Sequence, residues 1–241
     1  MKFAIVSDVH GNREALEAVL ADIAPHAVQA MACLGDFVGY GASPNECIEV
    51  LRPRVEVAVL GNHDVAALGR LRLGGFQTDA ATTARWTMEH LKPEHRAWLE
   101  GLPYVAQWRD ARLVHATPSE PEEWHYVLSI GDATLEFAAF DERLGFIGHS
   151  HVPGVFETDG ARVSYTRAPD VALRPGRRYL VNVGSVGQPR DGDPRAAWML
   201  YDAERDTLQH RRVDYDIERA GARIREAGLP PFLAERLKWG E

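Results

Sequence analysis

Metal-binding side chains stand in five short clusters, each directly behind an apolar run: Asp8-Val9-His10, Gly35-Asp36, Gly61-Asn62-His63-Asp64, His115 and Gly148-His149-Ser150-His151. Imidazole and carboxylate donors without thiolates suit Mn, Fe, Zn, Co or Ni better than Ca or a structural zinc cage. Two such ions about 3.5–4 Å apart can hydrolyse a phosphate ester, because the pair acidifies a water between them and grips a phosphate oxygen. The donor inventory is large enough for two ions, with only two aspartates, Asp8 and Asp36, available to bridge them.

Each cluster also has a plain structural explanation. Asp8 and His10 lie two apart, so in extended backbone they point the same way, but Asp8 alone could anchor a helix. Asp36, before the glycine-rich Phe37-Val38-Gly39-Tyr40-Gly41, could be a turn aspartate. A helix-capping role explains Asp64 but not the Asn62 and His63 before it. His115 could be a satisfied core histidine. His149 and His151, alternating behind Phe146-Ile147, are hardest to explain by packing, because each buried imidazole needs a hydrogen-bond partner. Five such coincidences at strand ends are a poorer explanation than one metal site.

These clusters need a scaffold. Residues 3–6, 30–34 and 55–60 read as buried strands alternating with helices over 13–24 and 44–51, the latter opened by Ser43 and Pro44. Residues 71–75 read as a loop, followed by helices over 78–90 and 93–100. From residue 112 the pattern shifts to short strands, at 113–114, 145–147, 162–166, 179–183, 197–202 and 207–214, the last two forming a hairpin. A polar helix over 217–227 precedes Pro230-Pro231. A parallel start and an antiparallel second half predict an α/β, two-sheet sandwich flanked by helices (αββα) in one domain, 1–241. A helical insertion falls around 64–101. The clusters then sit just past strand C-termini, where open sheets place ligands.

Composition narrows the class. At 241 residues with 45% hydrophobic content the chain can bury a sizeable core. A net charge of −8 argues against a surface for long nucleic acids, which is normally basic. No apolar run is long enough to span a membrane, and the chain runs from Met1 straight into a strand without a signal peptide. The only cysteines, Cys33 and Cys47, form no CxxC pair, which fits a reducing cytoplasm.

In this order the clusters resemble the calcineurin-like metallophosphoesterase superfamily, whose pattern is D-x-H, G-D, G-N-H-D/E, H and G-H-x-H. The likeness runs from Asp8 to Arg195. It implies that Asp8, His10 and His151 hold one ion, that Asn62, His115 and His149 hold the other, and that Asp36 bridges. It also implies that His63 is the catalytic histidine, held by Asp64 through its other ring nitrogen so that its pKa rises. Stretches 7–12, 39–46 and 182–190 look like the small bacterial and archaeal phosphodiesterases, some of which hydrolyse diadenosine polyphosphates.

The expected substrate is therefore a small phosphorylated molecule, possibly a nucleotide. Candidates for contacting it are Asn12, Arg190 in its glycine-rich loop, and Trp124 and Tyr126, which could stack a base or close an apolar cover. A protein phosphatase is disfavoured: Gly39-Tyr40-Gly41 stands where the animal Ser/Thr enzymes carry Asp-Arg-Gly. A silent scaffold of this fold is also disfavoured, since it would have lost His63 or several ligands. His26, His90, His95 and His210 have no partner motif and read as structural.

Overall fold

The first strand, β1 (Lys2–Val6), shows how the layers form. Alternate side chains leave its two faces: Phe3 and Ile5 enter one core with Phe146, Val181 and Met199, while Ala4 and Val6 enter another with Leu16 and Val19. Both faces are apolar, so the strand must be covered on both sides.

The computed structural model describes residues 1–241. Its strands are β1, β2 (Ala30–Cys33), β3 (Val57–Ala58), β4 (Val105–Trp108), β5 (Ala111–Val114), β6 (Leu144–Ile147), β7 (Gly154–Thr158), β8 (Val163–Thr166), β9 (Asp170–Ala172), β10 (Arg178–Asn182), β11 (Ala196–Asp202) and β12 (Thr207–Val213). They form two sheets, ordered β3-β2-β1-β11-β12-β9 and β4-β5-β6-β10-β7-β8. The helices are α1 (Arg13–Ile23), α2 (Pro44–Leu51), α3 (Asn62–Ala67), α4 (Thr78–His90), α5 (Pro93–Glu100), α6 (Ile130–Glu136), α7 (Ile217–Glu226) and α8 (Phe232–Glu235).

Three apolar layers hold this stack. Leu16 and Val19 of α1, Ile48 and Leu51 of α2 and Leu99 of α5 cover the outer face of the first sheet. Phe3, Ile5, Leu113, Phe146, Tyr179 and Met199 fill the space between the sheets. Val114, Ile147 and Leu180 meet Phe137 and Phe140 at the C-terminal end of α6, on the outer face of the second sheet. Helices thus flank a two-sheet sandwich, the predicted αββα architecture. No helix is long and apolar enough to cross a membrane.

Several expectations need correction. The second half is not simply antiparallel: β5 and β6 pair parallel, as do β6 and β10. The strand expected over 55–60 shrinks to two residues: Val59 N still donates to Cys33 O of β2, but Leu60 N turns to Pro103 O. Residues 73–75 form a short 3-10 turn. The pattern gave no sign of β4, β7, β9 or α6. β4 is an edge strand, and α6 leaves Ile130 and Leu135 exposed, so neither shows a clean apolar stripe. The signal for α6 was local: Ser129 and Asp132 form a capping box.

Candidate metal centre and its cavity

Each cluster follows the end of a strand in the parallel parts of the two sheets. Asp8 and His10 follow β1, Asp36 follows β2, and Asn62 and His63 open α3 after β3. His115 follows β5, and His149 and His151 follow β6. The expectation that Asp8 and His10 project together from extended backbone is wrong. Asp8 (φ 54°), His10 (φ 50°), Asp36 (φ 51°), His149 (φ 64°) and His151 (φ 59°) all lie in the left-handed region. L-residues adopt it at a cost, and such strain concentrates at functional sites. The chain curls at each strand end to turn these side chains inward.

Two glycines make the approach possible. A Cβ on Gly61 would lie 2.1 Å from Asp36 Oδ1, and one on Gly148 would lie 2.4 Å from Asp8 Oδ2. Both carboxylates therefore rest directly against backbone.

The histidines are aimed from behind. His10 Nδ1 donates to Val38 O at 3.2 Å, His115 Nδ1 to Leu34 O at 2.8 Å, and His151 Nδ1 to Gln188 O. With that proton on Nδ1, each neutral ring presents an Nε2 lone pair to the interior, the way metal-binding imidazoles are oriented. His149 is reversed: Nε2 donates to Trp124 O at 2.8 Å, which leaves Nδ1 as its free nitrogen.

These donors converge. Asp8 Oδ1 lies 3.1 Å from His151 Nε2, 3.7 Å from His10 Nε2 and 3.8 Å from His115 Nε2. Asp36 Oδ2 lies 3.3 Å from His115 Nε2 and 3.6 Å from His10 Nε2. Asp8 Oδ1, Asp36 Oδ2, Asn62 Oδ1, His63 Nδ1 and His115 Nε2 are buried and make no hydrogen bond. Buried polar atoms are ordinarily satisfied, because leaving one unpaired costs about 1–3 kcal/mol. A cluster of such atoms, nearly all electron-pair donors, fits a divalent cation. Three overlapping sets qualify: Asp8, His10 and His151; Asp8, Asp36 and His115; and His10, Asp36 and His63.

Charge follows the same logic. Burial opposes ionisation of Asp8 and Asp36, but the neighbouring imidazoles, His151 and His115 for Asp8 and His115 and His63 for Asp36, hold both well below the usual carboxylate range. Burial, then His115, takes His149 down to about 4, and burial, then Arg190, takes His151 down to about 3. Burial also lowers His115, but Asp36 and Asp8 outweigh it and raise His115 to about 9, so without an ion this ring holds a proton that a cation must displace before Nε2 can bind it.

The expected pairing of His63 with Asp64 does not occur. Asp64 accepts from the backbone N–H groups of Asp36 (2.8 Å), Phe37 (2.9 Å), Val38 (3.3 Å) and Gly61 (3.0 Å). It lies three residues inside α3, whose N-cap is Gly61, and ties the Asp36 turn to that helix. Burial and the nearby Asp36 charge push its carboxyl up to about 8, against the pull of those N–H groups. His63 instead sits among Tyr40 (4.4 Å between ring centroids), His10 (4.9 Å) and Phe76 (5.3 Å), and burial lowers its pKa rather than raising it.

A cavity of about 490 Å³ opens over the centre. Asp36, Asn62, His63, His149 and His151 reach it, as do the expected Arg190, Trp124 and Tyr126. Trp124 is partly packed against the core, its ring 5.9 Å from Tyr104 and 6.0 Å from His115. Tyr126 stacks on His149 at 4.3 Å. Asn12 is not at this cavity. Its Oδ1 accepts from Ala15 N and its Nδ2 donates to Gly187 O, so it caps α1 and pins the Gly187 loop. Sequence reading missed Tyr40, Arg72, Phe76 and Arg236 on the cavity wall. Tyr40 lies inside a motif already singled out, whereas Arg236 carried no signal at all. The four histidines read as structural bond to or pack on groups outside the centre: His26 on Trp198, His90 to Trp86, His95 to Asn45 and His210 to Asn182.

Fold and centre together define a class. Residues 1–206 match the calcineurin-like phosphoesterase superfamily domain, and the chain belongs to that superfamily of metal-dependent phosphoester hydrolases. A metallophosphoesterase from Sphaerobacter thermophilus is 40% identical and superposes with a TM-score of 0.89, over 100% of this chain and 99% of that one. An uncharacterised protein of Methanocaldococcus jannaschii is 37% identical over 98% of this chain and 97% of its own length. A hypothetical protein from Pyrococcus horikoshii shares the fold at 20% identity with a TM-score of 0.82, over 100% and 98%.

Proposed function

We propose that the protein hydrolyses a small-molecule phosphoester, a phosphodiester or phosphomonoester with nucleotides as the leading class, with two divalent ions. The observation that carries this reading is the set of buried, unpartnered donors at the floor of the cavity. Asp8, His10 and His151 are assigned to one ion and Asn62, His115 and His149 to the other, with Asp36 between them. The Asp36 assignment is supported by its Oδ2 lying closer to His10 (3.6 Å) and His115 (3.3 Å), one from each set, than Asp8 Oδ1 does (3.7 and 3.8 Å). When bound, the ions supply an acidified water and charge to neutralise a phosphate. Imidazole and carboxylate donors admit Mn, Fe, Zn, Co or Ni.

His63 is assigned the proton for the leaving oxygen. It lines the cavity, and its Nδ1 has no protein partner. A neutral imidazole with one N–H can still stabilise charge at that oxygen by hydrogen bonding and proton transfer. Arg190 is assigned to grip a phosphate oxygen. The segment 64–101, inserted between β3 and β4, supplies Leu71, Arg72 and Phe76 to the wall and is assigned to substrate selection. The two buried free cysteines support placement in the cytoplasm.

The test is a panel assayed with Mn: a phosphomonoester, a phosphodiester, a diadenosine polyphosphate, cyclic nucleotides and a phosphopeptide. Hydrolysis of small esters above the peptide, abolished by chelator and restored by Mn, is expected. Preference for the peptide would replace this reading with a protein phosphatase, and total inactivity would replace it with a scaffold.

A further inference from the structure

Three arginines line the cavity, Arg72, Arg190 and Arg236. Arg236 stands in the turn after α8, where Leu233 and Leu237 bury against Ala220 and Ile224, and its Nε donates to the Glu241 carbonyl. Arg190 differs from both in being held by a residue that also aims a metal donor. Its Nη2 donates to Gln188 Oε1 at 2.8 Å, and its Cζ lies 5.5 Å from the Tyr40 ring centroid. The backbone carbonyl of the same Gln188 accepts from His151 Nδ1. One residue thus fixes an arginine of the cavity wall with its side chain and a metal-site imidazole with its main chain.

Gln188 is itself anchored to the metal loops. Its N–H donates to Ser185 Oγ at 2.8 Å, and that hydroxyl donates to the Asp8 carbonyl at 2.8 Å. Arg190 N–H returns to the His151 carbonyl at 3.3 Å, which closes a ring of contacts through Gln188, His151 and Arg190. Pro189, between the two side chains, locks one backbone torsion of that ring. Gln188 is only 2% exposed, so its long side chain has already given up its rotamer freedom. A guanidinium only donates, so the amide must present its oxygen. A carboxylate here would hold the arginine as well but cancel its charge. The amide holds the fork and leaves the charge for an anion. Arg190 Nε is buried with no protein partner, a donor left over once Gln188 has taken Nη2.

We propose that Gln188 is a positioning residue: its side-chain amide sets the Arg190 guanidinium beside the metal centre, ready to receive a phosphate oxygen. This rests on the phosphoester reading above, in which Arg190 grips that oxygen.

The test uses three single variants. Gln188→Met keeps the length and lacks the acceptor, Gln188→Glu keeps the acceptor and adds a charge, and Arg190→Gln removes the guanidinium. Calorimetry with Mn present reads orthophosphate binding, p-nitrophenyl phosphate reads KM and kcat, and elemental analysis reads the metal. Both Gln188 variants should keep the wild-type Mn content, because the carbonyl that holds His151 is retained. Each should weaken orthophosphate binding about tenfold, Gln188→Met by releasing Arg190 and Gln188→Glu by neutralising it. KM should rise by a similar factor with kcat little changed. In the Arg190→Gln background, Gln188→Met should add nothing further. Gln188→Glu decides alone should Gln188→Met not fold. Additive losses, unchanged phosphate affinity, Mn lost together with phosphate affinity, or no orthophosphate binding by the wild type would overturn the role. If the variants weaken orthophosphate binding as expected while the wild type hydrolyses no ester, the phosphoester reading falls and the role of Gln188 stands. Hydrolysis with wild-type KM in both Gln188 variants would keep that reading and remove the role.

Discussion

His10 Nε2 and His151 Nε2 face each other at 3.0 Å, though each ring has its Nδ1 on a backbone carbonyl. With both protons so placed, neither nitrogen can donate to the other. Two lone pairs at that distance are stable only around a shared cation or a displaced proton.

Asp36→Asn removes the charge of the proposed bridge while keeping its shape. Elemental analysis after dialysis should show occupancy falling from two ions to one or fewer. Two ions retained in the variant would contradict the bridging role.

His63→Ala should keep both ions and lower turnover by about 100-fold or more, through loss of proton transfer to the leaving oxygen. Because His63 also belongs to one metal-competent trio with His10 and Asp36, metal content must be measured alongside. Loss of an ion would make His63 a ligand instead.

Asp64→Asn replaces an acceptor of four backbone N–H bonds with a group half of which donates. At a fully buried position, loss of satisfied partners should cost about 2–3 kcal/mol, read by urea unfolding. An unchanged midpoint would show that the ties from Asp64 to Asp36, Phe37, Val38 and Gly61 contribute little.

Gly61→Ala introduces a methyl where Asp36 Oδ1 already rests, 2.1 Å from the new carbon. The carboxylate must move, so the variant should lose metal at least as severely as Asp36→Asn and melt at a lower temperature. Normal occupancy would mean the turn relaxes freely.

His210 links stability to pH. Burial lowers its pKa to about 4 from 6.5, although its Nε2 donates to Asn182 O, which opposes the shift. The unfolded chain binds this proton more readily, so stability contributed by neutral His210 is present above pH 6.5 and lost as pH falls toward 4. His210→Gln, which can still donate to Asn182, should flatten that slope in urea unfolding. A slope identical to wild type would remove His210 as its source.

The donor types and their places at strand ends were legible in the sequence, because metal chemistry restricts residue identity and buried strands announce themselves by composition. So were β1, β2, β11 and the helices α1, α2, α4 and α5, whose apolar periodicity is strong. Four other features depended on contacts between residues far apart in the chain. Asp64 turned to backbone amides of the Asp36 turn rather than to His63. Asn12 served the α1 cap and the Gly187 loop rather than substrate. The left-handed backbone at Asp8 and His10 replaced the expected extended geometry. Arg236 reached the cavity through burial of Leu233 and Leu237 against α7. Local sequence sets which atoms can bind a cation, since that is a property of side-chain chemistry. Which of them meet, and which are taken up by capping or packing, is decided only when the two sheets and the C-terminal helices close around one cavity.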